Sequence, residues 1–246
     1  MQQAERTGAV VGTELNDRIF DVIDNLEYRR VISDADFQSV SDLRRKAFDA
    51  KNIYEQKFGG EALEDIDFRP DTDVFGLHVR DELVATIRIN ILRPGGPDTP
   101  AIELFGDTLR PLLEQGLSFV DPSRFAVSEE AGKRYPGLPL LTLRLGVLAV
   151  SWFNAFSCLQ VIKLEHAAFY RRIFRSTQIA GPNYFEGIRI PVVLMSGPAS
   201  NIPDICRRYP LFNSTETERR AIFARDSAIR PARIRPTARQ ATPQAA

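Results

Sequence analysis

Between Phe119 and Val127 runs the stretch FVDPSRFAV, where Asp121 and Arg124 stand three residues apart inside an apolar segment. A carboxylate there can take a proton from an incoming nucleophile, and a guanidinium close by holds such a carboxylate ionised and oriented. The spacing raises a geometric problem. Side chains alternate along an ideal strand, so residues three apart face opposite sides. A β-bulge adds one residue and returns both to one side, and proline is tolerated at bulges because no ladder donor is needed there. The expectation is therefore a bulged strand at Pro122 whose acid and arginine share the wall of a cleft.

Composition narrows what such a cleft serves. The 246 residues hold 43% hydrophobic and 26% charged residues, ordinary for a globular protein with a sizeable core. Lys+Arg and Asp+Glu are equal at 32 each, so no global field attracts nucleic acid. The two cysteines, Cys158 and Cys206, have no metal-ligand spacing, and the two histidines, His78 and His166, cannot build a histidine cluster. A reducing cytoplasm fits, with no metal. The amino-terminal residues lack the apolar core of a secretory signal. The uncharged run from Leu145 to Ile162 approaches the length of a membrane span, but Ser151, Asn154, Ser157 and Gln160 interrupt it, so it divides into a buried helix and a strand.

These residues need elements to position them. Residues 1–16 form a loose leader, and residues 225–246, rich in Pro, Ala and Arg, form a disordered basic tail able to touch acidic lipid or an acidic partner. Between them, residues 17–224 make one domain. IFDVIDNLEYRRVIS holds a first strand, and the segment from Ser33 to Phe58 has helical spacing at Phe37, Val40, Leu43, Ala47 and Phe48. DVFGLHVRDELVATIRINIL is a hairpin turning at Arg80–Glu82, and PAIELFGDTLRPLLEQG is a helical insertion. After the FVDPSRFAV strand come a polar loop SEEAGKRYPGLP, an apolar helix, the strand LQVIKLE, the short helix HAAFYRRIFRS and a closing strand pair ending in IRIPVVLMS. The class is α/β (α+β), with one central mixed sheet.

Several local motifs in this order resemble those of the acyl-homoserine-lactone synthases and, more closely, the N-acyl amino acid synthases. In LRRKAFDAKNIY, Arg44, Phe48 and Tyr54 keep the family's arginine, phenylalanine and aromatic spacing, with tyrosine in place of tryptophan. In VATIRI, Arg88 matches an arginine ending the second hairpin strand. Asp121, Arg124 and Phe125 match the family's acid, two residues, then Arg-Phe. A pair of acids three apart is matched by Glu64 and Asp67 when a gap is allowed, and EHAAFYRRIF, with His166 and Tyr170, is similar to a helix of the N-acyl amino acid synthases.

The resemblance implies a GNAT-like splayed sheet flanked by helices, and an acyltransferase with no tightly bound cofactor. Its donor would be an acyl-phosphopantetheine thioester on acyl carrier protein or coenzyme A, and its acceptor the amine of an amino acid. Asp121 would be the base and Arg124 its ionising partner. Backbone N–H groups freed by the bulge would steady the oxyanion. Arg44, Phe48, Tyr54, Arg88, Phe125, Trp152, Phe156, His166 and Tyr170 would bind substrates. Leu145, Leu148, Trp152, Phe153 and Phe156 form a stripe expected to be mostly core, with one or two members facing an acyl chain. The loop SEEAGKRYPGLP lacks the glycine-rich pyrophosphate pattern, which favours a carrier protein meeting Arg171, Arg172, Arg175, Arg207 and Arg208. Two rival readings share the fold: an autoinducer synthase using S-adenosylmethionine, and a non-catalytic acyl-binding module.

Overall fold

In the computed structural model, which describes residues 22–50, 62–184, 190–225 and 233–240, seven strands form one sheet in the order β1-β2-β3-β4-β5-β7-β6. The strands are β1 (Leu26–Arg30), β2 (Thr72–Val79), β3 (Glu82–Leu92), β4 (Phe119–Val127), β5 (Ser157–Lys163), β6 (Thr177–Asn183) and β7 (Val192–Pro198). The hairpin from β2 to β3 turns through Arg80 and Asp81, with φ of 51° and 68°. Two left-handed residues in a two-residue connection match the twist of the strands they join.

Every neighbouring pair is antiparallel except β4 and β5. These two run parallel and pair only at Phe119↔Ser157 and Val120↔Cys158. The short contact follows from the strand that separates from it. Beyond Val120 come Asp121 and Pro122, and proline has no N–H to offer a neighbour.

Two helices cover one face of the sheet. Helix α1 (Asp34–Ala50) sets Leu43, Ala47 and Phe48 against Ala126, and α2 (Pro100–Glu114) sets Ile102, Phe105 and Leu109 against Phe119, Leu159 and Leu194. The opposite face packs on α4 (Leu138–Phe153), which follows the short α3 (Glu129–Arg134). Helix α4 is apolar nearly all round and buried along most of its length, as a helix must be that fills a core. It ends at Asn154, whose left-handed φ of 49° closes the helix. Helices α5 (Ala167–Phe174), α6 (Ile202–Arg208) and α7 (Glu216–Phe223) complete the layer, and no helix among the described residues is long and apolar enough to cross a membrane.

Two expectations are corrected. The polar segment before α4 is not simply a loop: Ser128 caps α3 by accepting from the Ala131 N–H. Part of the tail is ordered rather than disordered. Ile234 is 6% exposed and exchanges both backbone hydrogen bonds with Tyr28 of β1, at 2.8 and 3.0 Å. Arg233 meets Asp81, Arg239 meets Asp24, and Thr237 donates to Glu218 at 2.6 Å. The tail gains order from an open sheet edge and acidic neighbours, which composition alone does not reveal. The expected leader lies outside the described residues.

Candidate active site

Past Val120 and Cys158 the parted strands open into a cavity of about 540 Å³. One wall is β4 from Asp121 to Phe125, the other β5 from Cys158 to Lys163. Gly146 of α4 permits the close approach at the vertex, since a Cβ there would lie 3.3 Å from both Cys158 Sγ and Pro122 Cγ. The apolar lining from α4 is Pro139, Leu143, Val147 and Val150, one stripe at i, i+4, i+8 and i+11.

The expected bulge exists, two residues later than Pro122 suggested. Pro122 pairs in register with Ile89, and the extra residue falls between Ser123 and Ala126, where Arg124 takes a left-handed φ of 51°. Asp121 and Arg124 both line the cavity, as the bulge argument required. They are not partners. Arg124 turns to Glu64, donating from Nε to Oε2 at 2.9 Å and from Nη2 to Oε1.

Asp121 is 1% exposed and accepts from Thr99 Oγ1 at 2.8 Å. Burial raises its carboxyl to about 6, against the opposing pull of the Thr99 hydrogen bond and the Arg88 charge. The expectation that Arg124 holds it ionised and oriented is therefore corrected: Arg124 is engaged by Glu64, and desolvation outweighs the pull of Thr99 and Arg88. Thr99 occupies the N-cap position of α2, yet its side chain makes no capping hydrogen bond. That hydroxyl is spent on Asp121, forgoing a cap of about 1 kcal/mol.

Next to Asp121 the motif charges converge. Arg88, 1% exposed, donates from Nη1 to Glu64 Oε2 at 2.7 Å, lies 3.4 Å from Asp67 Oδ1, and donates from Nε to Ser123 Oγ at 2.9 Å. Arg44, fully buried, donates to Asp67 Oδ2 at 2.9 Å. A 3₁₀ turn, Asp65–Phe68, positions the two acids by accepting the Glu64 N–H on Asp67 Oδ2 at 2.9 Å. Burial raises Glu64, but Arg124 and Arg88 overcome it and leave the carboxyl at about 2. Burial lowers Arg44 despite Asp67. Among the described residues, three guanidiniums and two carboxylates thus gather beside Asp121.

The remaining expected residues divide. Phe48, Phe125, His166 and Tyr170 line the cavity, and Phe48 stacks under Arg124, 6.0 Å from ring centroid to guanidinium carbon. Arg44 stands behind the wall rather than in it. Tyr54 lies outside the described residues. Trp152 and Phe156 are corrections: Trp152 sits on another stripe of α4 under Arg220, and Phe156, 49% exposed, follows the helix end and packs edge-on against Phe119. The stripe facing the cavity is offset from the large residues that spacing picked out. Burial lifts the Cys158 thiol to about 12, far from the thiolate form at neutral pH. Among the described residues no cluster of His, Cys, Asp and Glu is placed to hold a metal.

Sequence reasoning missed Thr99, whose only signal was a threonine before a proline-led helix. It placed Glu64 at a gap in a motif, where the fold makes it the hub.

The profile of the family described as N-acyl amino acid synthase FeeM matches residues 39–198. No curated protein matches the sequence. Among solved structures, FeeM, an N-acyl amino acid synthase from uncultured soil microbes, is 15% identical with a TM-score of 0.61, over 73% of this chain and 93% of that one. The coenzyme A-dependent acyl-homoserine-lactone synthase BjaI is 14% identical with a TM-score of 0.53, over 74% of this chain and 89% of that one. The acyl-homoserine-lactone synthase LasI is 14% identical with a TM-score of 0.51, over 72% and 92%. At such identities the neighbours establish a shared fold, while the profile covers most of the chain. The chain belongs to the FeeM N-acyl amino acid synthase family, in the branch of the GNAT fold that includes acyl-homoserine-lactone synthases, and it is an acyltransferase.

Proposed function

We propose that this acyltransferase moves a long-chain fatty acyl group from acyl carrier protein to the amine of an amino acid. The observation that carries the reading is Asp121: a buried carboxyl raised to about 6 where two strands part into an apolar cavity. A base near pH 6 is mostly ionised at neutral pH and binds a proton better than an ordinary carboxylate, which suits removal of a proton from an ammonium acceptor. The freed amine attacks the thioester carbon, the C–N bond forms and the C–S bond breaks. Backbone N–H groups at the Arg124 bulge stabilise the oxyanion. The second proton, which the nitrogen sheds as the tetrahedral intermediate collapses, passes to the departing sulfur, with the Tyr170 hydroxyl that lines the cavity as its relay.

The guanidiniums of Arg88 and Arg124, both held by Glu64 at the cavity wall, meet the acceptor's carboxylate. A carrier protein as donor is supported by α3, which presents Glu129 and Glu130 where a pyrophosphate would need positive charge and free amides. It is also supported by the exposed Arg171 and Arg172 on α5, Arg175 at its C-terminal end, and Arg207 and Arg208 on α6. Acidic Asp204 neutralises part of that surface by pairing with Arg175 and Arg207.

A second reading is an acyl-homoserine-lactone synthase, favoured by the ion-paired Glu64 and Asp67. Mass spectrometry of lipid extracts from cells making the protein, beside Asp121→Asn, separates the possibilities. New acylated amino acids that fall about 100-fold or more in the variant are expected. Equal product from both proteins removes Asp121 as base, and an acyl lactone in the wild type decides for the second reading.

A further inference from the structure

Helix α2 begins on a residue whose backbone and side chain serve different ends. Thr99, 2% exposed, stands at the N-cap, and its carbonyl accepts from the amides of Ile102 and Glu103 at 2.9 and 3.1 Å. Pro100 follows at the first helical turn, where its fixed φ suits the start of a helix. The loop before it is held as well. The Asp98 carbonyl accepts from Arg69 at 3.0 Å, and the Asp98 carboxylate from Arg110 at 2.5 Å. With the backbone fixed on both sides, a β-branched side chain has few rotamers left to it.

The helix start is also packed against the strand that carries the base. Ala101 and Ile102 share a core cluster with Phe119 of β4, two residues before Asp121. Residues two apart on a strand face the same side, and Pro100, Ala101 and Leu104 line the cavity there. From this mount Thr99 donates to one oxygen of Asp121, Oδ2, at 2.8 Å. Among the described residues the other oxygen, Oδ1, accepts no hydrogen bond, and it is not sealed from the cavity.

We infer that Thr99 is a positioning residue for the base: it grips Oδ2 and leaves Oδ1 as the atom that takes a proton from the incoming ammonium group. This rests on the acyltransfer reading. The N–H bond breaks, the proton moves to Oδ1, and the electron pair stays on nitrogen for the attack. The same hydrogen bond favours the ionised carboxylate. Burial raises Asp121 to about 6, and Thr99, with the Arg88 charge from β3, pulls against it. Glu64, Arg124, Cys158, Lys163, His166 and Tyr170 also line the cavity, and none of them hydrogen-bonds to the Asp121 carboxylate. In the first turn of α2 the one titratable residue, Glu103, is exposed. Wild type and Thr99 variants share all these groups, so a difference between them reports the hydroxyl.

Two readouts keep this inference apart from the reaction it serves. The first needs no substrate: the Asp121 carboxyl of the full-length protein is titrated by NMR, its signal assigned with Asp121→Asn. Thr99→Val and Thr99→Ala should each raise the midpoint by about one pH unit, and Thr99→Ser should return it toward the wild-type value. Either folded variant suffices, and the hydroxyl has no cap bond to lose. The second is the pH profile of kcat/KM with one carrier-bound acyl donor and one amino acid. Its acid limb should move up equally in the variants without a hydroxyl, so that they lose about fivefold more at pH 6 than at pH 8. A midpoint or limb unmoved in them, or moved as far by Thr99→Ser, overturns the inference. A midpoint that moves under an unmoved limb overturns it too, since the chemistry then does not use the bond. If no acylated amine forms at any pH, the N-acyltransferase reading fails first and this one with it, even where the midpoint moves.

Discussion

Asp121 has an environment that works against stability and for chemistry. Its folded carboxyl sits near 6, whereas an unfolded aspartate titrates near 3.9. The folded state therefore holds this proton more tightly. Below about pH 4 both states are protonated and nothing is lost; between about 4 and 6 the unfolded chain ionises first; above 6 the full cost is present. Asp121→Asn keeps an acceptor for Thr99 and removes the charge, so it should stabilise the protein by about 2–3 kcal/mol at pH 7 and by nothing at pH 3.5. Denaturant melts at the two pH values check this, and a variant destabilised at both would contradict the buried-acid account. Glu64 has the opposite sign. Its carboxyl at about 2 gives stability present above the usual carboxylate range and lost as pH falls toward 2. Asp121 and Arg124 stood out by type and spacing, Arg88 by the family resemblance, and Glu64 only when a gap was allowed. Their pairing did not, because a guanidinium chooses the acid nearest in space, and Glu64 reaches Arg124 from 60 positions away.

At the scale of elements, α4 ties the cavity to the far end of the chain. Leu143 and Val147 face the cavity, and the residue between Leu143 and Leu145, Arg144, points the other way and is fully buried. Arg144 donates to the carbonyls of Leu211 and Asn213 and to both oxygens of Glu218, which lies on α7. Glu218 in turn receives the Thr237 hydroxyl and N–H, at 2.6 and 3.0 Å. Breaking a buried pair by removing one charge leaves the other uncompensated, so Glu218→Gln should cost about 3–5 kcal/mol, read as a lower denaturant midpoint. A change under 1 kcal/mol would mean that water already reaches this pair. The apolar run of α4 was plain in the sequence. Which stripe meets the cavity was not, because a helix apolar on every side has no periodicity to mark one face.

For the whole molecule, the sheet ends at β1, and the chain itself covers that edge through Ile234. Removing residues 233–246 would expose the edge of β1, strip Glu218 of two donors and unpair Arg233 from Asp81. Such a truncation should lower the melting midpoint and increase light scattering at high protein concentration, since an open edge pairs with other chains. Unchanged melting and scattering would show that Ile234 merely rests there. Nothing in a Pro- and Arg-rich tail announces this role, because a single bridging isoleucine has no repeat for a pattern to detect.

Local pattern was enough for the α/β class, the β2–β3 hairpin, helices α1, α2, α4 and α5 and the acid-to-arginine spacing on β4, because alternation, helical spacing and turn residues act over a few positions. It also carried the family resemblance, which lies in short motifs. What the tertiary structure alone decided was the company each group keeps. Arg124 went to Glu64 rather than Asp121, Thr99 was drawn from its helix cap to a buried acid, and Gln160 was left with an unmet oxygen. Those outcomes depend on which strand parts from which and how much water is excluded, and both are properties of the packed chain rather than of any stretch of it.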